Sequence, residues 1–431
     1  MRLHGNMSVR DKQLFVGEVS CRELKEKYET PLYIFDEDLV RSNAREYIKE
    51  FRVSENKNRV AYAGKAFLPI YMCKLIDEEG LYLDVVSSGE LYTAKKANFP
   101  MEKILFHGNN KTAEEVEMGL EFGVGRFVVD NYYELDLLEK ICEKKNKRQA
   151  IYFRITPGIE AHTHDYIQTG QIDSKFGFAL STGAFYRAVE KIREYKYIDL
   201  VGIHAHIGSQ IFEIEPYLDE VEIMMNLVKE LSDKYDVELK EVDLGGGFGV
   251  YYTDKDNPKP IKEFCEKILK KADETCSSLG IQVPILIIEP GRSMVANAGS
   301  TLYTVGAIKE IEGVRTYVSL DGGMTDNIRP ALYQAEYECL ITDKVNDLPE
   351  KTVTIAGKCC ETGDLLIKDV SMPSIKTGDL LLITSTGAYG YSMASNYNKI
   401  RKPAVVSVSG EVAKLICKRQ SYEELLELEL I

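Results

Sequence analysis

The chain has no tryptophan, only six histidines, and nine cysteines that never form a CxxC pair. An odd number of scattered cysteines argues against a disulfide framework and a zinc ribbon, and reads as reduced thiols. No apolar run approaches the roughly 20 residues that a membrane span requires. The opening residues, MRLHGNMSVRDKQ, hold no apolar stretch of signal-peptide length, which predicts a cytoplasmic location and no membrane partner. Basic character is missing too. Against 68 Asp and Glu stand 54 Lys and Arg, a formal net charge of -14, and no basic stripe is available for nucleic acid. Any anionic group must therefore be met by individual arginines or by backbone N–H groups. Internal repeats and low-complexity segments are absent.

What is present is regular alternation. With 431 residues, 44% of them hydrophobic, the chain has room for one large core and a second domain. Eight strand-like runs appear: RVAYA (59–63), YLDVV (82–86), ILFH (104–107), FVV (127–129), IYFRI (151–155), LVGIHAH (200–206), EVDL (241–244) and ILIIE (285–289). Most precede a stretch with helical spacing, several of which end at glycine as a C-cap would. Eight β-α units predict a (β/α)8 barrel of the TIM type over residues 36–297. The fifth unit carries a long insertion, TPGIEAHTHDYIQTGQIDSKFGFALSTG, and a loop of that length is more often functional than idle. After residue 298 the runs become short and β-rich, separated by Gly, Asp and Pro. A second, β-rich domain is expected from residues 1–35 and 298–431.

A barrel carries its active site at the carboxyl ends of its strands. Nearly every exit here is polar or glycine-rich, and five of the six histidines fall at exits or in the fifth loop. The first exit, AYAGKAF, delivers Lys65 beside a glycine; a surface lysine is the plainer reading, and an amine nucleophile the sharper one. The seventh, DLGGGFG, presents Gly245, Gly246 and Gly247, which let backbone N–H groups approach an anion. It has neither Walker nor dinucleotide spacing. The eighth, EPGR, contains Glu289, Pro290, Gly291 and Arg292. Glu289 ends an apolar strand, where a carboxylate is costly unless paired, either with Arg292 or with a protonated ring nitrogen. An amine nucleophile, a phosphate cradle and an acid at a strand end together suit pyridoxal 5'-phosphate.

GIHAHIGSQ places His204 and His206 two apart, so both are expected on one side of the strand. A zinc-dependent barrel hydrolase uses such a pair, though usually on its first strand. The better reading stacks His206 on a cofactor ring with Ser209 near its phosphate; His162 and His164 are expected to shape the fifth loop. In the β-rich part, Arg329 and Tyr333 are four apart and share one side if DNIRPALY is helical. KCCETGD and STGAYGYSM add cysteines, an acid and tyrosines.

Taken together, AYAGKAF, LDVVSSGEL, FHGNNKT, RITPGIEAHTHDYIQTGQ, DSKFGF, GIHAHIGSQ, LGGGFG, EPGR, DGGMTDNIRPALY, CCETGD and TGAYGYSM resemble the alanine racemase-like (fold type III) pyridoxal-phosphate decarboxylases along nearly the whole chain. The resemblance is strongest to the branch acting on meso-2,6-diaminopimelate. It implies a barrel with a C-terminal β-domain and decarboxylation of that small amino acid to L-lysine and CO2 in lysine biosynthesis. It implies that Lys65 holds the cofactor covalently and that His206 stacks on its ring. Ser209, Gly245, Gly246, Gly247, Glu289, Pro290, Gly291, Arg292 and Tyr389 would surround the cofactor, with Glu289 at the ring nitrogen. Arg292, Arg329, Tyr333, Glu361 and Tyr389 would bind substrate, and Cys360 would return the proton. It also implies a homodimer in which Cys360 and Glu361 reach the partner's site, and no metal. Two departures stand out: VSSGEL puts Ser88 where a glycine is expected, and HAH replaces HCH. A decarboxylase of ornithine, lysine or arginine is the nearest alternative; relatives of that kind tend to have CD where this chain has Cys360-Glu361.

Overall fold

The structure, a computed structural model, describes residues 2–52, 57–159 and 174–430. It divides into two units, one of Asn43–Gly249 and Pro258–Ser293, the other of Met1–Ser42, Val250–Asn257 and Met294–Ile431.

The first unit holds the eight expected strands, at Arg59–Ala63, Tyr82–Val85, Ile104–Phe106, Arg126–Val129, Gln149–Thr156, Ile198–His204, Glu241–Asp243 and Ile285–Ile288. All neighbours pair in parallel, and the last pairs with the first, Ile287 opposite Arg59, so the sheet closes into a barrel. Phe178–Ala179, beyond the fifth loop, adds a short parallel pairing to the fifth strand. Helices occupy the expected stretches, for example Ala113–Phe122 and Ile261–Leu279. Thr112 and Glu115 form a capping box at the start of the former. Both end at glycines in the left-handed region, Gly123 (φ 82°) and Gly280 (φ 67°).

The two-residue period of a strand sorts the barrel interior into layers. Ala61, Leu105, Val128, Tyr152 and Ile287 pack together as the apolar middle. Two residues earlier on these faces come Arg59 and Arg126. The Glu241 carboxylate accepts from Arg126 Nε (2.9 Å) and Nη2 (3.0 Å), pairs with Arg59 Nη1 (2.7 Å), and takes the Tyr152 hydroxyl. Burying Glu241 is tolerable because these donors satisfy it. Two residues later come Ala63, His107, Asp130, Arg154 and Glu289. The barrel's lower end is thus closed by ion pairs and its middle by hydrocarbon, leaving polar groups at the carboxyl end.

In the second unit, Leu32–Asp36 lies between two later strands. It pairs antiparallel with Gly299–Ile311 and parallel with Ala404–Ser409. The sheet continues outward through Arg315–Leu320, Lys351–Ala356 and Leu365–Met372 on one side and Val412–Cys417 on the other. Leu32, Ile34, Leu302, Leu382 and Val406 form its core with the small N-terminal meander (Met7–Arg10, Gln13–Val16, Val19–Ser20). The β-rich texture after residue 298 is therefore a sheet that the N-terminal strand completes. Residues 250–257 also belong to this unit, although they come directly after the seventh barrel strand's glycine turn.

Candidate active site

In the barrel unit, the first strand ends in a single 3-10 turn, Gly64–Ala66. A Cβ on Gly64 would lie 2.9 Å from the Asp84 carbonyl oxygen, so glycine is what lets the chain leave the strand here. The turn buries Gly64 and Ala66 but leaves Lys65 exposed in the single chain, less desolvated than the apolar run suggests. The Lys65 charge acts on Asp84, Glu90 and His206. Ser88, the unexpected residue at the second exit, is the first residue of the helix Ser88–Lys96. Its φ is not positive, so no glycine is needed. The preceding Ser87 caps that helix by accepting from Glu90 N.

Glu289 is the centre of a buried polar cluster. One of its oxygens lies 2.7 Å from His107 Nε2, the other 3.2 Å from His204 Nε2. Burial alone would push the carboxyl up; the two imidazoles outweigh it and hold Glu289 well below the usual carboxylate range. An ionised carboxylate only accepts, so both Nε2 atoms carry hydrogen. Burial draws His204 down to about 3, which makes it a neutral donor with an unpartnered Nδ1. Asp84 and Asp243 are buried nearby. Burial pushes both up, and the Glu289 charge adds to it. Of the three carboxyls Glu289 is the one held low, which makes it the negative charge best placed for a cationic partner.

His204 and His206 hold different hydrogen-bond partners. The sixth strand stops at His204, so the alternation of a strand no longer governs residue 206. The groups that join His204 are His107 and Glu289, whose ligand atoms all lie within 4.8 Å of one another. His206 instead takes Gly246 N on its Nδ1 at 3.3 Å. Burial, then the Lys65 charge, keep it neutral.

The seventh and eighth exits are stitched together. Glu289 N donates to Gly245 O (2.6 Å), and Ala63 N donates to Pro290 O (3.2 Å). Gly245 (φ 60°) and Gly247 (φ 104°) adopt left-handed backbone, and a Cβ on Gly246 would strike the Glu289 carbonyl oxygen at 2.1 Å. This turn admits only glycine. Arg292, expected either at Glu289 or at a phosphate, donates to Ser209 Oγ from Nε (3.2 Å) and Nη2 (2.9 Å). The third exit is fixed by buried Lys111, which donates to the carbonyls of Gly108 and Val128 and pairs with Glu134 at 2.7 Å. That anchor holds the HGNN loop and hence His107. His162 and His164 lie outside the described residues.

In the β-rich unit, Arg329 opens a one-turn helix, Arg329–Tyr333. It is buried, and Nη1 donates to the hydroxyls of Tyr252 and Tyr337, each at 2.9 Å. Its guanidinium carbon also lies 5.9 Å from the Tyr333 ring and 5.8 Å from the Tyr389 ring. Tyr389 is held at φ 58°, a conformation rarely taken by non-glycine residues and often found at functional sites. Cys360 and Glu361 sit on an exposed turn. Cys360 N donates to Asn398 Oδ1 at 2.8 Å, and Asp364 ties the turn down by accepting from Cys359 N and Met324 N. Cys360 is the one exposed cysteine of the nine. Half-buried Cys359 is pushed up to about 11, chiefly by burial and then by Asp364.

Sequence reasoning assigned no role to His107, Asp84, Asp243, Tyr252, Tyr337 or Asp364. For the barrel residues the signal was there: each is a polar residue at inward parity on an apolar strand, or the first residue beyond it.

The residues at the barrel exits fit pyridoxal 5'-phosphate. They offer an accessible lysine amine, an ionised buried acid, a neutral imidazole beside it and a glycine-only turn next to Arg292 and Ser209. Comparison with known proteins agrees. Residues 37–296 match the family model for the pyridoxal-dependent decarboxylase, pyridoxal binding domain. The chain is 51% identical to diaminopimelate decarboxylase of Bacillus subtilis, over 100% of this chain and 98% of that protein. A diaminopimelate decarboxylase of M. jannaschii solved with L-lysine superposes with a TM-score of 0.93 at 36% identity, covering 99% of this chain and 98% of that one. The Helicobacter pylori counterpart, also complexed with L-lysine, gives 0.86 at 30% identity, over 95% and 98%.

Proposed function

Because this chain belongs to the pyridoxal-dependent decarboxylases, and within them to the diaminopimelate decarboxylases, we propose how its own residues divide the work. The reaction removes one carboxyl group of meso-2,6-diaminopimelate as CO2 and puts a proton in its place, leaving L-lysine. Bound pyridoxal phosphate supplies the sink into which the electrons of the breaking C–C bond withdraw. Lys65 is the amine that tethers it. Glu289 would keep a negative charge toward the ring nitrogen, and His206 would face the ring. The Gly245–Gly247 turn, Ser209 and the Glu289–Arg292 exit would receive the phosphate and the ring edge, and Tyr389 would contact the cofactor. Arg292, Arg329, Tyr333, Tyr389 and Glu361 grip the substrate, and the Cys360 thiol delivers the proton to the carbon that lost its carboxyl group.

The observation that carries the substrate reading is Arg329. It is a buried cation that pairs with no carboxylate among the described residues of its unit. Such a charge is costly unless an anion arrives with the ligand. The carboxylate that diaminopimelate keeps, and that ornithine-like diamines lack once decarboxylated, answers that need. Glu361 then takes the amine next to it. The test is CO2 release from meso-diaminopimelate with ornithine, lysine and arginine run alongside. Release from diaminopimelate alone is expected; release only from a simpler diamino acid overturns the assignments of Arg329 and Glu361.

Two copies form a homodimer in this reading, and Cys360 and Glu361 complete the partner's site. Their exposure in the single chain supports it, since a proton donor works best where water is excluded. A cytoplasmic location suits nine unpaired cysteines. Among the described residues no helix is long and apolar enough to cross a membrane. Cys360→Ala is expected to slow turnover by about 10²–10⁴-fold, the usual reach of a general acid, while the visible absorbance of bound cofactor stays. Loss of that absorbance would make Cys360 a structural residue.

A further inference from the structure

We propose that Tyr252 and Tyr337 are positioning residues that set how Arg329 reads a carboxylate, and so set the preference for substrates that keep a carboxylate at the end remote from the chemistry. The inference rests on the assignment of Arg329 above.

A guanidinium has five N–H groups arranged as two forks. The end-on fork uses Nη1 and Nη2; the side-on fork uses Nε and Nη2. Both hydrogens of Nη1 are taken here, one by the Tyr252 hydroxyl and one by the Tyr337 hydroxyl, each at 2.9 Å. That disables the end-on fork. Nε and Nη2 donate to no described group of the unit, so the side-on fork remains for a planar, bidentate carboxylate. The tyrosines are themselves fixed. Tyr252 is 7% exposed and Tyr337 is 4% exposed, and their rings meet edge to face at 5.3 Å. The rings of Tyr252, Tyr333, Tyr337 and Tyr389 all lie within 6.0 Å of the guanidinium carbon. These walls surround the cation and stop it swinging toward another partner. A ligand without the carboxylate leaves the fork buried and unpaired, and a site of that kind discriminates strongly.

The arrangement depends on contacts distant in the chain. Tyr252 comes from Val250–Asn257, which leaves the barrel strands to join the β-rich unit, and Tyr337 comes just after the Arg329–Tyr333 turn. This gives the excursion of residues 250–257 a chemical purpose.

The test uses cofactor-loaded enzyme and two probes of one length, L-lysine and 1,5-diaminopentane, which lacks the carboxylate. Dissociation constants are measured by calorimetry for wild type, Tyr252→Phe, Tyr337→Phe, the double variant and Arg329→Lys. Phenylalanine keeps the ring and removes only the hydroxyl. Each single Phe variant is expected to weaken L-lysine by about tenfold, the scale of one hydrogen bond to a charged group, while 1,5-diaminopentane changes by less than about twofold. Equal weakening of both probes would make the tyrosines merely structural and overturn the proposal. So would unchanged L-lysine affinity in the Phe variants when Arg329→Lys weakens it. Unchanged L-lysine affinity in Arg329→Lys would instead overturn the assignment of Arg329 itself. If the double variant fails to load cofactor, the single variants decide.

Discussion

Lys65→Ala is expected to abolish both the visible absorbance of the cofactor-loaded protein and CO2 release from meso-diaminopimelate, the latter by more than about 10³-fold. The tether must be a primary amine at the carboxyl end of the barrel, accessible to a carbonyl group. Lys111, at the third exit, is the other lysine to consider. Its amine is buried and occupied by two backbone carbonyls and Glu134. Lys65 is exposed on a one-turn exit, with Asp84, Glu90 and His206 within reach of its charge. Alanine at 65 keeps the turn, because Gly64 and not the lysine satisfies its packing against Asp84 and Leu68. A folded protein without absorbance and without activity is therefore the expected outcome. Retention of both would remove Lys65 from the reaction.

The barrel was legible because its strands are short apolar runs closed by glycine-capped helices, and both signals are local. All eight runs, from RVAYA to ILIIE, became strands of the closed sheet. What was not legible is non-local. Nothing near Tyr252 tells that it leaves the barrel's strands to bond an arginine 77 residues away. The His204–His206 spacing suggested a shared direction, and the charges of Arg154 and Glu289 act on both, but nothing in the spacing tells that each holds a different partner. Asp84 and Asp243 were hidden for a different reason. The residues just beyond each strand are the obvious site candidates in a barrel, yet inward parity also places the last polar residues of the strand itself in the site. YLDVV reads as an apolar run, but two-residue alternation from Tyr82 puts Asp84 on the face that Tyr82 buries against the barrel's apolar layer.

Parity gathers three carboxyls at the carboxyl end of the barrel, and of these Glu289 is the one held low, which sets the expectation for Glu289→Gln. The amide is isosteric but neutral, and its NH2 must face an imidazole Nε2 that in the wild type donates. One imidazole has to change tautomer, and the ring nitrogen loses its ionised partner. Turnover is expected to fall by about 10²–10³-fold, the cost of removing one electrostatic stabiliser from a preorganised site. Lys65 is untouched, so the cofactor stays attached and its visible absorbance persists. The loss is not recovered by changing pH across the neutral range. The native carboxyl is held well below its ordinary value, so it is charged throughout that range and the amide has no charge to regain. Wild-type turnover in Glu289→Gln would mean that the negative charge held between His107 and His204 serves only the barrel's packing. Loss of absorbance along with turnover would mean that the carboxylate first builds the pocket, with His107 and His204 as its struts, before it acts on the ring.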